Sequence, residues 1–343
     1  MTHTDVAPRR AQRQGPPSVS VVVCCYTFDR WAQVRRAVES LRAQQPAPAE
    51  VIVVVDHNDE LLAAVRAAAP AGVRIVDNTR AKGLAGARNA GTAAASGDVV
   101  AFLDDDAWVA PGWLAGMLAA YRDPAVVGVG GDVAPEWPGG ARPGWFPAAF
   151  DWVVGCSYEG LPTAPAPVRN FIGANMSFRR DALEAVGGFS EGVGRSATAP
   201  LGCEETELSI RVAGIAPGTV LRYDPAVQVH HTVSPERTRP GYFLRRCLAE
   251  GLSKAVIAGM VGAGAATSTE RTYVRVVLAG AARRAVADVA HGDRSGLGRL
   301  AALCGGLAAT ATGFAAGRAG MGRVVLRAVE RRRPPSPAAV VAP

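Results

Sequence analysis

Three clusters of residues in this sequence have the types and spacing to do chemistry. Asp104-Asp105-Asp106 follows the apolar run Val99–Leu103. Three adjacent acids at the end of a buried strand repel one another unless positive charge lies between them. A divalent cation meets that need, because Mg²⁺ and Mn²⁺ take oxygen ligands from one or two carboxylates together with substrate phosphates. Strand side chains alternate, so Asp104 and Asp106 should face one way and Asp105 the other. One face would suit a metal and the other a ribose hydroxyl; the alternative is an acidic turn capping the next helix. Glu204-Glu205-Thr206-Glu207 opens a helix behind Gly202-Cys203. Acids in a first turn are favoured by the helix dipole alone. Two neighbouring carboxylates can also raise one another's pKa, as a general base requires. His230-His231 ends a short strand, where only one ring can face a site and serve as a third cation ligand.

These residues need a frame that brings them together. β-Branched runs at Val19–Cys25, Val51–Val55, Val73–Asp77 and Val99–Leu103 predict strands buried on both faces. Helical periods at Trp31–Gln44, Leu61–Ala69, Ala85–Ala95 and Trp113–Arg122 alternate with them, and a further strand is expected at Val126–Gly131. Alternation of this kind predicts a mostly parallel α/β sheet with ligands at the carboxyl ends of its strands. Asp56 and Asp104–Asp106 both sit at such ends, Asp56 as an acceptor for a base N–H or as a helix cap. Gly83–Gly91 enters a helix with small residues that let backbone approach a ligand, and Arg88 adds charge suited to a diphosphate. It lacks the GxGxxG order and does not follow the first strand, which argues against a dehydrogenase.

Residues 134–168 are rich in Pro, Gly and aromatics, a long loop of the kind that carries function. Beyond it lie a strand at Asn175–Phe178, helices at Arg180–Val186 and Thr206–Ala213, and short strands at Val220–Tyr223 and Val227–His230. A long helix at Arg239–Met260 and two more in 271–333 complete the pattern.

Composition narrows the function classes. The 343 residues are 49% apolar and 20% charged, enough to bury a large core. Six cysteines without CxxC spacing exclude a disulfide scaffold or zinc ribbon and point to a reducing compartment. The net charge of +7 belongs to the C-terminal part: 271–333 holds 12 Arg against Asp288, Asp293 and Glu330. Only Tyr273 and Phe314 interleave that basic stretch, which disfavours nucleic acid. An anionic membrane surface suits it better. Leu300–Gly317 is uncharged but diluted by Gly, Ala and Thr, so a peripheral helix is expected over a spanning one. Residues 1–17 read as a disordered lead without an export signal, and 334–343 as a disordered tail.

In their order along the chain, these features resemble an inverting family-2 glycosyltransferase with a GT-A fold, from about Val19 to Lys254. Val21–Tyr26 is similar to the family's first strand and nucleotide loop, which implies donor contacts at Cys25 and Tyr26. The resemblance places Asp56 on the base, and Arg88 and Asn89 near ribose and diphosphate. It reads Phe102–Asp106 as a DxD motif, with Asp104 and Asp105 toward the sugar-nucleotide and Asp106, aided by Asp104 and His230, on a Mn²⁺ or Mg²⁺ ion. Gly173–Arg180 and Val186–Phe189 are similar to the acceptor side, with Asn175, Trp145 and Trp152 as acceptor residues. Glu204-Glu205 stands where the family has Glu-Asp, so the base is Glu205, Glu204 or Glu207. Arg245–Lys254 looks like an element near the donor phosphates. The resemblance implies two halves, 18–131 for the nucleotide-sugar and 132–254 for acceptor and catalysis, with a basic helical region at 255–333. It implies transfer of a sugar from a nucleotide-diphospho-sugar, a UDP-sugar first, to a glycan, lipid-linked or small-molecule acceptor. A cytoplasmic location, peripheral to the inner membrane face, would follow. A non-catalytic nucleotide-sugar binder is the alternative that the Glu-Glu pair suggests. A nucleotidyltransferase ranks behind it, because Cys25–Asp29 lacks the Gly and Lys of a phosphate loop.

Overall fold

The computed structural model describes residues 15–191, 195–196, 199–200, 202–262 and 270–321. Residues 1–14 of the expected lead, the 334–343 tail and the basic stretch from 322 onward lie outside the described residues.

The four β-branched runs pair as expected. Strands β1 (Val19–Cys25), β2 (Glu50–Val55), β3 (Val73–Asp77) and β4 (Val99–Asp104) lie in the order β3-β2-β1-β4, all parallel. Alternation sends successive side chains into two different cores. Val21 and Val23 pack with Val34, Val38 and Leu41 of α1 (Trp31–Arg42) and Leu61 of α2 (Asp59–Ala68). Val22, Ile52 and Val54 pack with Ala85, Ala87 and Ala90 of α3 (Leu84–Ala94). The small face of α3 is what lets it lie so close: a Cβ on Gly91 would run into Val22. Asn58 caps α2 by accepting from the Leu61 N–H at 3.0 Å.

After β4 the chain turns through Asp105-Asp106 into β5 (Ala107–Val109), α4 (Trp113–Ala120) and β6 (Val126–Glu136). Next come β7 (Ala166–Pro167), β8 (Asn175–Arg179), α5 (Arg180–Ala185), a separate ladder of β9 (Arg195–Ser196) with β10 (Ala199–Pro200), α6 (Glu204–Ala213) and β11 (Val220–Thr232). The sheet continues β4-β8-β6-β11-β5. Strands β1, β2, β3, β4, β6 and β11 share one direction, and β5, β7 and β8 oppose it. The two short strands expected at 220–230 are one strand, with a register shift between Asp224 and Val229. The short β5 carries no periodicity long enough to announce it; pairing with β11 creates it.

The C-terminal region is helical: α7 (Pro240–Val261), α8 (Glu270–Thr272), a π-helical stretch Tyr273–Leu278, α9 (Ala279–Ala290) and α10 (Ser295–Ala316). Helix α7 runs unbroken across the boundary expected at 254/255. Helix α10 lies directly on it, because Gly251 and Gly313 leave room for the opposing backbone: a Cβ at either would collide with Thr310 or Leu248. By length and composition Ser295–Gly320 could cross a membrane, yet one face is committed to α7.

Candidate active site

A cavity of about 1600 Å³ opens at the carboxyl ends of β1, β2 and β4. Cys25, Tyr26, Asp56, Arg88 and Asp104–Asp106 line it from the sheet side, and Glu204, Glu205 and His231 complete that end.

Asp56 ends β2 with its carboxylate already engaged. Its Oδ1 accepts from Asn78 Nδ2 at 2.6 Å and its Oδ2 from the Gly83 N–H at 2.9 Å. It therefore pins the loop entering α3 against the cleft floor. Tyr26 is 55% exposed at the rim, a flat ring free to cover a planar ligand. Cys25 is buried in the strand, and burial pushes its thiol up to about 12, so it is no nucleophile.

Arg88 is the central tie. Only 2% exposed, it donates from Nη1 to Glu204 Oε1 at 3.1 Å and from Nη2 to Asp104 Oδ1 at 3.0 Å. Burial alone would lower its pKa, but Asp104 and then Glu204 outweigh that and raise it. Nη2 also reaches the Gly173 carbonyl at 3.2 Å. One guanidinium thus fixes the end of β4, the start of α6 and the turn before β8, three segments far apart in sequence.

The acidic triplet splits its duties. Asp104, Asp106 and His231 bring ligand atoms within 4.8 Å of one another, a group able to hold a divalent cation. His231 Nε2 stands 3.1 Å from Asp106 Oδ1. Burial opposes ionisation of Asp106, but the His231 hydrogen bond, with the charges of His231, Arg237 and Arg30, holds its carboxyl well below the usual range. Arg30 Nη1 lies 3.3 Å from Asp106 Oδ2 and donates to Asp105 Oδ1 at 2.6 Å. Asp105 Oδ2 is buried with no hydrogen-bond partner. Burial, only partly offset by Arg30, raises the Asp105 carboxyl to about 6.

The structure sets His231, not the expected His230, beside Asp104 and Asp106. Pairing of β11 with β5 sets His230 opposite Trp108 and His231 opposite Ala107. His230 stacks on Trp108 with ring centroids 5.3 Å apart, on the far face of the sheet, and His231 takes the inward one. A shift of one residue on a strand exchanges its faces.

Three acids open α6 and only one is left uncommitted. Glu204 is tied to Arg88. Glu207 is 1% exposed, bonded to Arg211 Nη2 at 2.6 Å and to Ser190 at 3.1 Å, and lies off the cleft. Glu205 lines the cleft with no ion-pair partner among the described residues. Burial, then the adjacent Glu204 charge, raise its carboxyl to about 8. Cys203, just before it, adopts a left-handed conformation (φ 72°) that aims the first turn of α6.

Other expected site residues lie elsewhere. Asn89 is a clamp: its Oδ1 accepts from the Phe189 N–H at 2.8 Å and its Nδ2 donates to the Phe189 carbonyl at 2.9 Å, away from the cavity. Asn175 is fully buried, accepting from Trp113 Nε1 at 2.9 Å and donating to the Val227 and Asp132 carbonyls. Trp145 packs on Phe146 and Phe243 inside the aromatic cluster that fastens the 134–168 loop to α7. Of the three acceptor-side candidates only Trp152 lines the cavity, with its Nε1 donating to Tyr273 Oη at 3.0 Å. Sequence reading passed over Arg30, Arg237 and Tyr273, which arrive from three separate segments; Arg30, one turn past β1, left the best trace.

Comparison with known proteins bears on this arrangement. The model of Glycosyl transferase family 2 matches residues 20–187. A glucosyl-dolichyl phosphate glucuronosyltransferase of Haloferax volcanii is 34% identical over 242 residues, 70% of this chain and 77% of that protein. A pre-mycofactocin glycosyltransferase of Mycobacterium tuberculosis is 29% identical over 296 residues, 84% of this chain but 56% of that one. Among solved structures, the mannosyltransferase PcManGT of Pyrobaculum calidifontis, in complex with GDP-Man and Mn²⁺, superposes with a TM-score of 0.53 at 19% identity, covering 86% of this chain and 87% of that one. GalNAc-T7 with UDP, GalNAc and Mn²⁺ gives a TM-score of 0.50 at 20% identity, over 72% of this chain and 50% of that one. The two structures establish the GT-A fold. The family match and the haloarchaeal relative, aligned over most of its length, show that the chain belongs to glycosyltransferase family 2.

Proposed function

We propose that the cleft transfers a glycosyl group from a nucleoside diphosphate sugar, UDP-linked by preference, to an acceptor hydroxyl with inversion of configuration, and that Glu205 is the general base. The observation that carries this reading is the division of labour in the first turn of α6. Glu204 is held by Arg88 and Glu207 by Arg211, which leaves Glu205 as the cleft-facing carboxylate of that turn without an ion-pair partner among the described residues.

Glu205 takes the proton of the acceptor hydroxyl. The acceptor oxygen forms its bond to the anomeric carbon as the bond to the diphosphate oxygen breaks, and the nucleoside diphosphate leaves with the electron pair. One displacement inverts the centre without a covalent enzyme intermediate. Arg88 keeps Asp104 oriented and delivers positive charge to this end of the cleft. Asp105 Oδ2, buried without a partner, suits a ribose hydroxyl donor. Two carboxylates and an imidazole are an oxygen-rich set that fits Mn²⁺ or Mg²⁺, held by Asp104, Asp106 and His231. Such a cation supplies the charge that stabilises a departing diphosphate.

Residues 18–131 serve the donor, 132–254 complete the catalytic end, and the helices from 255 onward extend the cleft. We assign the exposed Val276, Val286 and Leu297, beside the arginines of 275–299, to an anionic membrane face on the cytoplasmic side.

The test is nucleotide release from a panel of nucleotide-sugars, with Mn²⁺ and with EDTA. Metal-dependent release from one donor is expected. If UDP and GDP both fail to bind with Mn²⁺ present, the reading is wrong. Binding without turnover for any acceptor would leave a nucleotide-sugar binder instead.

A further inference from the structure

The cavity does not end at Glu205. It runs on between the 150–172 segment and the C-terminal helices, where Phe150, Trp152, Tyr273, Val277, Leu307 and Phe314 line it. Leu307 is 40% exposed at its mouth, so this apolar stretch opens to the surface.

A chain of charges borders it. Arg246 Nη2 pairs with Glu250 Oε2 at 3.1 Å, Lys254 lies 3.9 Å from Glu250 and 2.5 Å from Glu270, and Arg169 is 3.2 Å from Glu270. Among the described residues, Arg246 Nε and Nη1 are buried without a hydrogen-bond partner, on a side chain that lines the cavity. Leaving guanidinium N–H groups buried and unpaired is costly, and a phosphate oxygen meeting Nη1 would relieve part of that cost. Gly202 leaves the space for that guanidinium, since a Cβ there would stand 3.0 Å from Nη2. Arg246 is near enough to Glu205 for their charges to interact, yet they form no ion pair. At the donor end Arg88 is tied to Asp104 and Glu204, and Arg30 and Arg237 to Asp105 and Asp106, while Lys82 lines the cavity beside Gly83.

We propose that this end of the cleft is an acceptor subsite for an amphiphile, in which Arg246 holds a phosphate and the apolar stretch up to Leu307 and Phe314 holds the chain attached to it. This rests on Glu205 being the base, because a phosphate on Arg246 would set the acceptor hydroxyl beside that carboxylate. Arg246 is then a specificity-determining residue, selecting phosphorylated apolar acceptors over neutral ones.

The test is calorimetric titration of the full chain with n-octyl phosphate, n-octanol and inorganic phosphate, each below its aggregation limit, with and without UDP and Mn²⁺. Octyl phosphate should fill one site at least about tenfold more tightly than either of the others, and should do so with UDP and Mn²⁺ bound. Arg246→Gln should abolish the preference for octyl phosphate over octanol, and Leu307→Asp should weaken octyl phosphate without changing inorganic phosphate. Equal affinities for octyl phosphate and octanol would overturn the subsite. So would one-for-one displacement by UDP–Mn²⁺, which would make it a donor-phosphate site. Because the wild-type ratio is decisive alone, an unfolded Arg246→Gln protein does not rescue the idea. Failure of UDP–Mn²⁺ binding with octyl phosphate intact would overturn the donor reading only.

Discussion

Glu205→Gln separates a catalytic carboxylate from a structural one, because the two roles move activity and stability in opposite directions. The side chain is raised from an ordinary 4.5 to about 8, first by burial and then by Glu204. A folded-state value above the unfolded one means that the stabilising contribution is complete below pH 4.5 and is lost as pH rises through about 8. Above that, the fold carries a buried charge next to a like charge. At about 1.4 kcal/mol per pH unit the difference has a ceiling near 5 kcal/mol. The open cleft and the Arg88 charge screen much of it, leaving about 1–2 kcal/mol. The amide of Gln does not titrate, so the variant should gain that amount over wild type between pH 5 and pH 9. For a chain of this size the gain reads as roughly 1–3 °C in Tm. Transfer should fall by about 10²–10⁴. The acidic limb of the wild-type kcat/KM profile, rising toward about pH 8, should vanish with it. Thermal melts across pH, with nucleotide release at each, measure both. Normal transfer by the variant, or survival of the limb, would refute Glu205 as base. A variant less stable at pH 9 than at pH 5, relative to wild type, would refute the electrostatic argument.

The two histidines give a cleaner comparison still: His231→Asn should weaken Mn²⁺ binding by about 10–100-fold, and His230→Asn should leave it unchanged, as isothermal titration would show. Asp106→Ala should abolish metal-dependent nucleotide release and, by leaving Arg30, Arg237 and His231 without that carboxylate, lower the Tm. Arg88→Met leaves Asp104 and Glu204 facing each other unpaired, and should cost about 3–5 kcal/mol in urea unfolding along with all transfer. Gly313→Val drives side-chain carbon into the Leu248 backbone, so α10 should loosen from α7. Amide exchange in 240–261 should rise, at a cost of about 1–3 kcal/mol.

The sequence by itself determined the elements whose cause is local. A run such as Val51–Val55 can only be a strand buried on both faces, and its polar terminus then falls at the ligand edge of a parallel sheet. That is why Asp56, Arg88 and Asp104–Asp106 were legible in advance. Helix starts were legible for the same reason, and the acids of 204–207 were rightly placed on one.

What tertiary structure decided were the choices that local pattern leaves degenerate. Two adjacent histidines are equivalent until pairing with β5 fixes which face is inward. Three glutamates in one turn are equivalent until Arg88, brought in from a distance, engages Glu204, while Arg211, one turn further along α6, takes Glu207. A polar side chain such as Asn89 or Asn175 looks the same whether it waits for a ligand or for a backbone group. Only the folded chain shows that Phe189 satisfies the first, and Trp113 and Val227 the second. The glycines of α10 read as dilution of an apolar helix; contact with α7 gives them their purpose and carries the cleft into the C-terminal helices. Apart from the Glu207–Arg211 pair within α6, each of these outcomes depends on a partner from another segment, and the spacing of residues along one element holds no record of it.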